Sequence, residues 1–221
     1  MDHRFYREIT TMNLFRLDAS ILPSASASAE IADIVETEWT AAHPGATVTR
    51  RHLGTDALPA DAWTLATTAG FTPEGERTSA QREALALGAA LAEEVQSADA
   101  VVMAVPLYNY GVSQHFKTWV DLVIAGAGPT TPLLKGTPTV LVTSLGGGYG
   151  PGTPREGWDH STPYLERILA DHWEADLTVI KRELTLAATT PGMEGLRDLA
   201  AQLHTDALTT ARETGKALAG R

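Results

Sequence analysis

The chain has 221 residues, 43% of them hydrophobic, enough to bury one sizeable core without covalent staples. It contains no cysteine, which excludes disulfides, thiolate catalysis and cysteine-ligated metal or iron–sulfur centres, points to the reducing cytoplasm, and leaves any redox chemistry to a cofactor. Seventeen Lys and Arg against 27 Asp and Glu give a net charge of −10, and no basic run could neutralise a series of phosphates, which argues against nucleic acid as a partner.

Residues 1–11, MDHRFYREITT, lack the apolar stretch of a signal peptide and read as a poorly ordered extension before Met12, with 12–221 as one domain. Nowhere do about twenty uncharged apolar residues run together, so no membrane span is predicted. NLFRLD (13–18) is the first strand. After ASILPSASA a helix runs from about Ser28 to Ala42, with Ile31, Ile34, Val35 and Trp39 on one stripe and Pro44-Gly45 beyond its end. TVTRRHL (47–53) alternates as a half-exposed strand, and 54–77, rich in Pro, Gly and Thr, reads as a surface excursion with a short helix around Trp63. A helix follows over Ser79–Gln96, then the most apolar strand, AVVMAV (100–105), which suits the centre of a sheet. Phe116, Trp119, Val120 and Val123 recur at i, i+3, i+4 and i+7 and set a helix against the core. TPTVLVTSLGGGYGPG (137–152) is a strand entering a glycine-rich loop, 161–173 a helix, and ADLTVIKREL (175–184) a fifth strand. Leu196, Leu199, Ala200, Leu203 and Ala207 mark a closing helix. Strands alternating with helices predict an α/β fold, a flavodoxin-like three-layer sandwich whose five-stranded parallel sheet carries helices on both faces. In such a fold ligands bind beyond the carboxyl ends of the strands, at the switch point.

That rule directs attention to three loops. After the first strand come Ser20, Ser24, Ser26 and Ser28, hydroxyls leading into a helix N-terminus, where unpaired N–H groups and the dipole favour a phosphate. A single serine there can equally be a helix cap. With no Lys or Arg in the loop, two or three donors at about 1.5–3 kcal/mol each would outweigh a dipole contribution of roughly 0.3–1 kcal/mol. The loop is neither GxxxxGK[ST] nor GxGxxG, so a mononucleotide fits better than a nucleoside triphosphate or dinucleotide. After the third strand, Tyr108, Asn109 and Tyr110 offer aromatic surface and an amide, chemistry that suits a flavin ring and also an ordinary Asn turn at a sheet rim. After the fourth, Ser144 precedes Gly146, Gly147 and Gly148, which either admit close backbone approach to a ligand or form a bare turn.

LDASILPSASAS, PLYNYGVSQHFKTWVD and VTSLGGGYG, with SAQREALALGAALAEE, TPYLERIL and LTLAATTP as lesser elements, together resemble the FMN-dependent NADH-azoreductases, also described as FMN-dependent NADH:quinone oxidoreductases. The likeness extends over most of the chain from Met12, and the P-x-Y-N-aromatic element is its most specific part. The resemblance implies a flavodoxin-like homodimer with noncovalent FMN near the subunit interface and NADH or NADPH as hydride donor. Quinones, azo compounds or a polycyclic aromatic substrate of a specialised pathway would be the acceptors. The first loop would hold the FMN phosphate through Ser20, Ser26, Ala27 and Ser28. Pro106, Leu107, Tyr108, Asn109 and Tyr110 would lie beside the isoalloxazine, with Ser144, Leu145, Gly146 and Gly147 from the fourth-strand loop. No side chain need act as acid or base, and Asn109 and Gly147 would support charge on the reduced ring. Two departures bear on substrate choice: Leu145 stands where the family often has Arg, and the link GAGPTTPLLK (126–135) is short and lacks aromatic residues.

Two other readings stay open at this stage. A flavodoxin-type FMN electron carrier to a protein partner would suit the net acidity, whereas Ser20 as an esterase nucleophile lacks any D-x-x-H or G-x-S-x-G accompaniment. Neither H-x-H nor H-E-x-x-H occurs, so no metal site is predicted.

Overall fold

A computed structural model describes residues 11–221, so all but the last residue of the expected N-terminal extension lies outside the described residues. Five strands, β1 (Asn13–Asp18), β2 (Thr47–His52), β3 (Ala100–Ala104), β4 (Pro138–Ser144) and β5 (Asp176–Arg182), form one parallel sheet in the order β2-β1-β3-β4-β5. The helices are α1 (Ala27–Ala42), α2 (Ala62–Ala69), α3 (Ser79–Gln96), α4 (Gln114–Ala127), α5 (Thr162–Glu166, continued by a π-helical turn over Arg167–His172) and α6 (Arg197–Ala219). The order reverses at β1, so β1, β3 and β4 lie side by side and their three following loops meet at one edge.

Side-chain alternation along the strands separates two cores. Phe15, Leu17, Val101, Met103 and Leu141 face α3, α4 and α5, where they meet Leu91, Phe116, Trp119, Val123 and Trp173. Leu14, Val102, Val140, Val142 and Ile180 face α1 and α6. All of β3 is buried, as a central parallel strand requires.

Local chemistry sets most helix boundaries. Thr78 and Gln81 form a reciprocal capping box at the start of α3, and Ser113 accepts from the Phe116 N–H to open α4. The α3 and α4 backbones cross so closely that a Cβ on Gly126 would fall 2.1 Å from the Gly88 carbonyl oxygen. The excursion after β2 folds back: Ala62, Ala66 and Ala69 of α2 are buried, while Trp63 is exposed.

The closing helix differs from its expected stripe. Leu196 and Leu199 are exposed; of the expected stripe Ala200 is buried against Leu184 and Ala187 and Ala207 against α1, and α6 further buries Ala211, Gly215 and Leu218 on its α1 side. Small residues win here because the backbones approach closely: a Cβ on Gly215 would lie 2.9 Å from the Val35 carbonyl oxygen.

Candidate functional site

The loop leaving β1 is built from its own serines. Ser20 is buried, and its Oγ accepts from the Leu22 N–H at 3.1 Å, turning the chain into a short 3₁₀ segment over Pro23–Ala25. Ser26 caps α1, its Oγ accepting from the Ala29 N–H at 3.2 Å. The Ser28 hydroxyl is fully buried and lies 3.2 Å from that of Ser26. The helix therefore starts one residue earlier than the stripe of apolar residues predicted. In its first turn the N–H groups of Ala27 and Ser28 have no intrahelical acceptor.

The chain after β3 continues to pair with β4, Val105 N–H donating to Val142 and Leu107 N–H to Ser144, both at 2.9 Å. It then reverses within four residues: Tyr108 and Gly111 exchange two 2.9 Å backbone hydrogen bonds around Asn109 (φ 48°) and Tyr110 (φ 69°). Left-handed backbone at both central positions is the signature of a type I′ turn, usually made with Asn and Gly. Asn tolerates it, whereas a tyrosine there costs on the order of 1–3 kcal/mol, strain that neighbours must hold. His160 N–H donates to the Tyr110 carbonyl at 2.9 Å, Trp158 and Tyr149 pack edge-on to the Tyr110 ring at 5.3 and 6.3 Å between centroids, and Arg155 lies over it at 5.8 Å. The Tyr108 hydroxyl reaches back to the first loop, 3.2 Å from Ser20 Oγ and 3.1 Å from the Ile21 nitrogen, whose N–H it accepts. Ser20 Oγ is thus engaged with a phenol and a backbone amide, not with a histidine.

Between these loops runs a groove of about 280 Å³. Eight of the residues singled out in the sequence line it: Ser20, Ser26, Ala27, Pro106, Leu107, Tyr108, Ser144 and Gly146. The others stand apart from it. Ser28 sits beneath Ser26, Leu145 is fully buried with its N–H bonded to the Arg182 carbonyl, and Asn109 projects from the turn tip into solvent. Tyr110 joins the aromatic cluster, and Gly147 lines a neighbouring cavity.

Leu22, Ala25, Thr185 and Leu186 complete the groove unforeseen. Thr185 and Leu186 are brought there by the segment after β5, whose N–H groups donate to the Leu145 and Gly146 carbonyls at 3.1 and 3.2 Å. A Cβ on Gly146 would lie 2.7 Å from Leu186 Cδ1, so glycine is what lets that leucine close over the loop. Gly146 and Leu186 are shared with an apolar cavity of about 510 Å³, lined also by Tyr149, Arg155, Met193 and Leu196.

Charge distinguishes the two sides of the serine loop. Its outer surface carries Glu30 and Asp33 beside Ser24, which repel an anion, whereas no carboxylate among the described residues lines the inner groove. On the inner side serine hydroxyls and the open first turn of α1 converge, and the groove extends from there to Gly146. Among the described residues no helix is long and apolar enough to cross a membrane.

The family model described as flavodoxin-like fold matches residues 12–176. An FMN-dependent NADH:quinone oxidoreductase of Frankia casuarinae is 37% identical over 205 residues, 90% of this chain and 97% of its own length. One of the same name from Streptomyces coelicolor is 37% identical over 210 residues, 90% of this chain and 94% of its own. Among solved structures, an azoreductase from Bacillus anthracis Sterne superposes with a TM-score of 0.75 at 22% identity, covering 93% of this chain and 99% of that one. An FMN-dependent NADH-azoreductase of the Ames Ancestor strain, solved in complex with FMN, gives 0.75 at 15% identity, covering 95% and 100%. The strand order, the meeting of the loops after β1, β3 and β4, and relatives similar along nearly their whole length agree: the chain belongs to the flavodoxin-like family that includes the FMN-dependent NADH:quinone oxidoreductases.

Proposed function

We propose that the chain is an FMN-dependent oxidoreductase that uses NADH or NADPH to reduce quinones or azo compounds in two stages, the oxidised nicotinamide leaving before the acceptor enters. The observation that carries this reading is the groove itself. It is hydroxyl-lined and, among the described residues, free of carboxylates at the α1 end, and it shares Gly146 and Leu186 with an apolar cavity. Ser20, Ser26 and the free N–H groups of the first turn would hold the phosphate of FMN, with Ser28 supporting Ser26 from below. Pro106, Leu107 and Tyr108 would border its ring, and the Gly147 N–H, on the neighbouring cavity, would face the edge where negative charge develops, whereas Asn109, exposed at the turn tip, would reach that edge only if its side chain turned inward. Bound FMN supplies the hydride chemistry; the chain supplies binding, orientation and an apolar seat from which water is displaced. That seat, about 510 Å³ between Tyr149, Arg155, Met193 and Leu196, suits a planar aromatic acceptor, a polycyclic one included. The assembly that accompanies this reading is a homodimer, whose second subunit would cover the exposed Leu22, Trp158 and Leu186 beside the groove.

The purified protein is expected to be yellow, to bleach anaerobically with NADH or NADPH, and to regain colour on adding a quinone. Steady-state rates at several fixed quinone concentrations should give parallel double-reciprocal lines. A colourless protein that FMN cannot reconstitute ends the proposal; intersecting lines end its two-stage form.

A further inference from the structure

Adjoining the groove at Thr185, the segment following β5 and the first half of α6 line a cavity of about 400 Å³. Arg197, Ala200, Ala201 and His204 form one wall, since they follow at i, i+3, i+4 and i+7 on one helix face. Arg182, Leu184 and Thr185 form the other. Every charged or titratable group in this lining is a base, in a chain whose net charge is −10.

The two guanidinium groups are under-used. Arg182 donates from Nη1 to the Glu183 carbonyl, but its Nε is buried without a partner. Burial pushes its pKa down, against the pull of Glu30, yet a guanidinium keeps its proton in a protein. Arg197 donates one bond, from Nε to the Ala187 carbonyl at 3.4 Å, and its terminal nitrogens remain free of protein acceptors among the described residues. Neither arginine forms an ion pair among the described residues, in contrast to Arg16, Arg50, Arg51 and Arg221. His204 stands at the rim, Nε2 3.0 Å from Glu30 Oε1. A partly desolvated cation, and a second cation whose terminal nitrogens are free across an open cavity, are the elements of a fork that grips a tetrahedral dianion.

We infer that this cavity is a second anion site, distinct from the flavin phosphate loop, and that it takes a phosphate group through Arg182 and Arg197. The phosphate has two sources: a free phosphate or phosphate ester, or the pyridine nucleotide, because Thr185 lines this cavity and the groove alike. The site stands on its own residues; only the nucleotide source rests on the proposed oxidoreductase reading.

The test is an amide NMR titration of the ¹⁵N-labelled protein, saturated with FMN and, separately, without it. Pyrophosphate should produce saturable shifts at Ala200, Ala201 and Thr185. Arg182→Gln and Arg197→Gln should each weaken that binding roughly tenfold or more, as expected for a lost charge-assisted hydrogen bond. Arg197 is exposed, so its variant tests the site without endangering the fold. NADP⁺ and NAD⁺ then separate the sources. Shifts at Ala200 with NADP⁺ alone assign the ribose phosphate, shifts with both assign the diphosphate, and shifts with neither, while pyrophosphate binds, assign a free phosphate. Pyrophosphate shifts confined to Ala27 and Ser28, no shifts at all, or equal affinity in the Arg197 variant would overturn the inference. Failure of FMN to bind would leave the pyrophosphate result intact and strike only the flavin reading.

Discussion

Ser26 carries two duties that one substitution confuses and another separates. It caps α1 through the Ala29 N–H, and it presents a hydroxyl to the groove. Ser26→Ala is expected to cost about 0.5–2 kcal/mol of stability through the lost cap, and to weaken FMN by roughly one to two decades, the value of a donor to a charged group. Ser26→Asp keeps a good cap but sets a carboxylate against the phosphate. Its Tm should match the wild type while FMN affinity falls further than in the alanine variant. Thermal melts beside fluorescence titration of FMN read both quantities, and wild-type affinity in Ser26→Asp would remove the phosphate from this loop.

At the scale of elements, the grip of α1 on the sheet is polar as well as apolar. Arg16, on the α1-facing side of β1, is only 2% exposed. Its Nη2 lies 2.8 Å from Asp18 Oδ1 and 3.1 Å from Asp33 Oδ1, and its Nη1 is 3.5 Å from Glu36 Oε2. Replacing it by leucine removes the ion-pair partner of Asp18 among the described residues and leaves Glu36 to Arg50, so a largely buried carboxylate charge, 14% exposed, goes uncompensated. Breaking a buried pair from one side costs about 3–5 kcal/mol. Urea denaturation should therefore show Arg16→Leu destabilised by that amount at neutral pH; a loss within experimental error would mean that solvent already screens the cluster. This network was not legible in the sequence, which marks NLFRLD as a strand but carries no sign of what Arg16 and Asp18 meet. The strands, the capped helices and the three loops were legible because periodicity and Ser, Gly and Pro signals are local. What stayed hidden depends on tertiary approach. The inner face of α6 is alanine and glycine because two backbones nearly touch, and Thr185 and Leu186 enter the groove only because the chain after β5 pairs with Leu145 and Gly146. Leu145 shows the reverse case, a residue adjacent in sequence to the site whose side chain turns into the core.

For the whole molecule, FMN held as proposed by the loops after β1, β3 and β4 would brace the sheet across its centre. A ligand at a hundred times its dissociation constant stabilises the folded state by about 2.7 kcal/mol. For a chain of this length each kcal/mol raises Tm by roughly 2–4 °C, so FMN saturation should lift Tm by about 5–11 °C over the cofactor-free protein. Scanning calorimetry at fixed protein concentration checks this, and an unchanged Tm at saturating FMN would contradict it.

The contorted backbone at Tyr110 has an evolutionary corollary. Because the 149–160 segment supplies the hydrogen bond, the two edge-on rings and the cation that hold this tyrosine in place, the turn and this loop can diverge only as a unit. A chimaera that imports one of them from a relative inherits an unsupported kink, whereas one that imports both can acquire a new acceptor preference with its geometry intact.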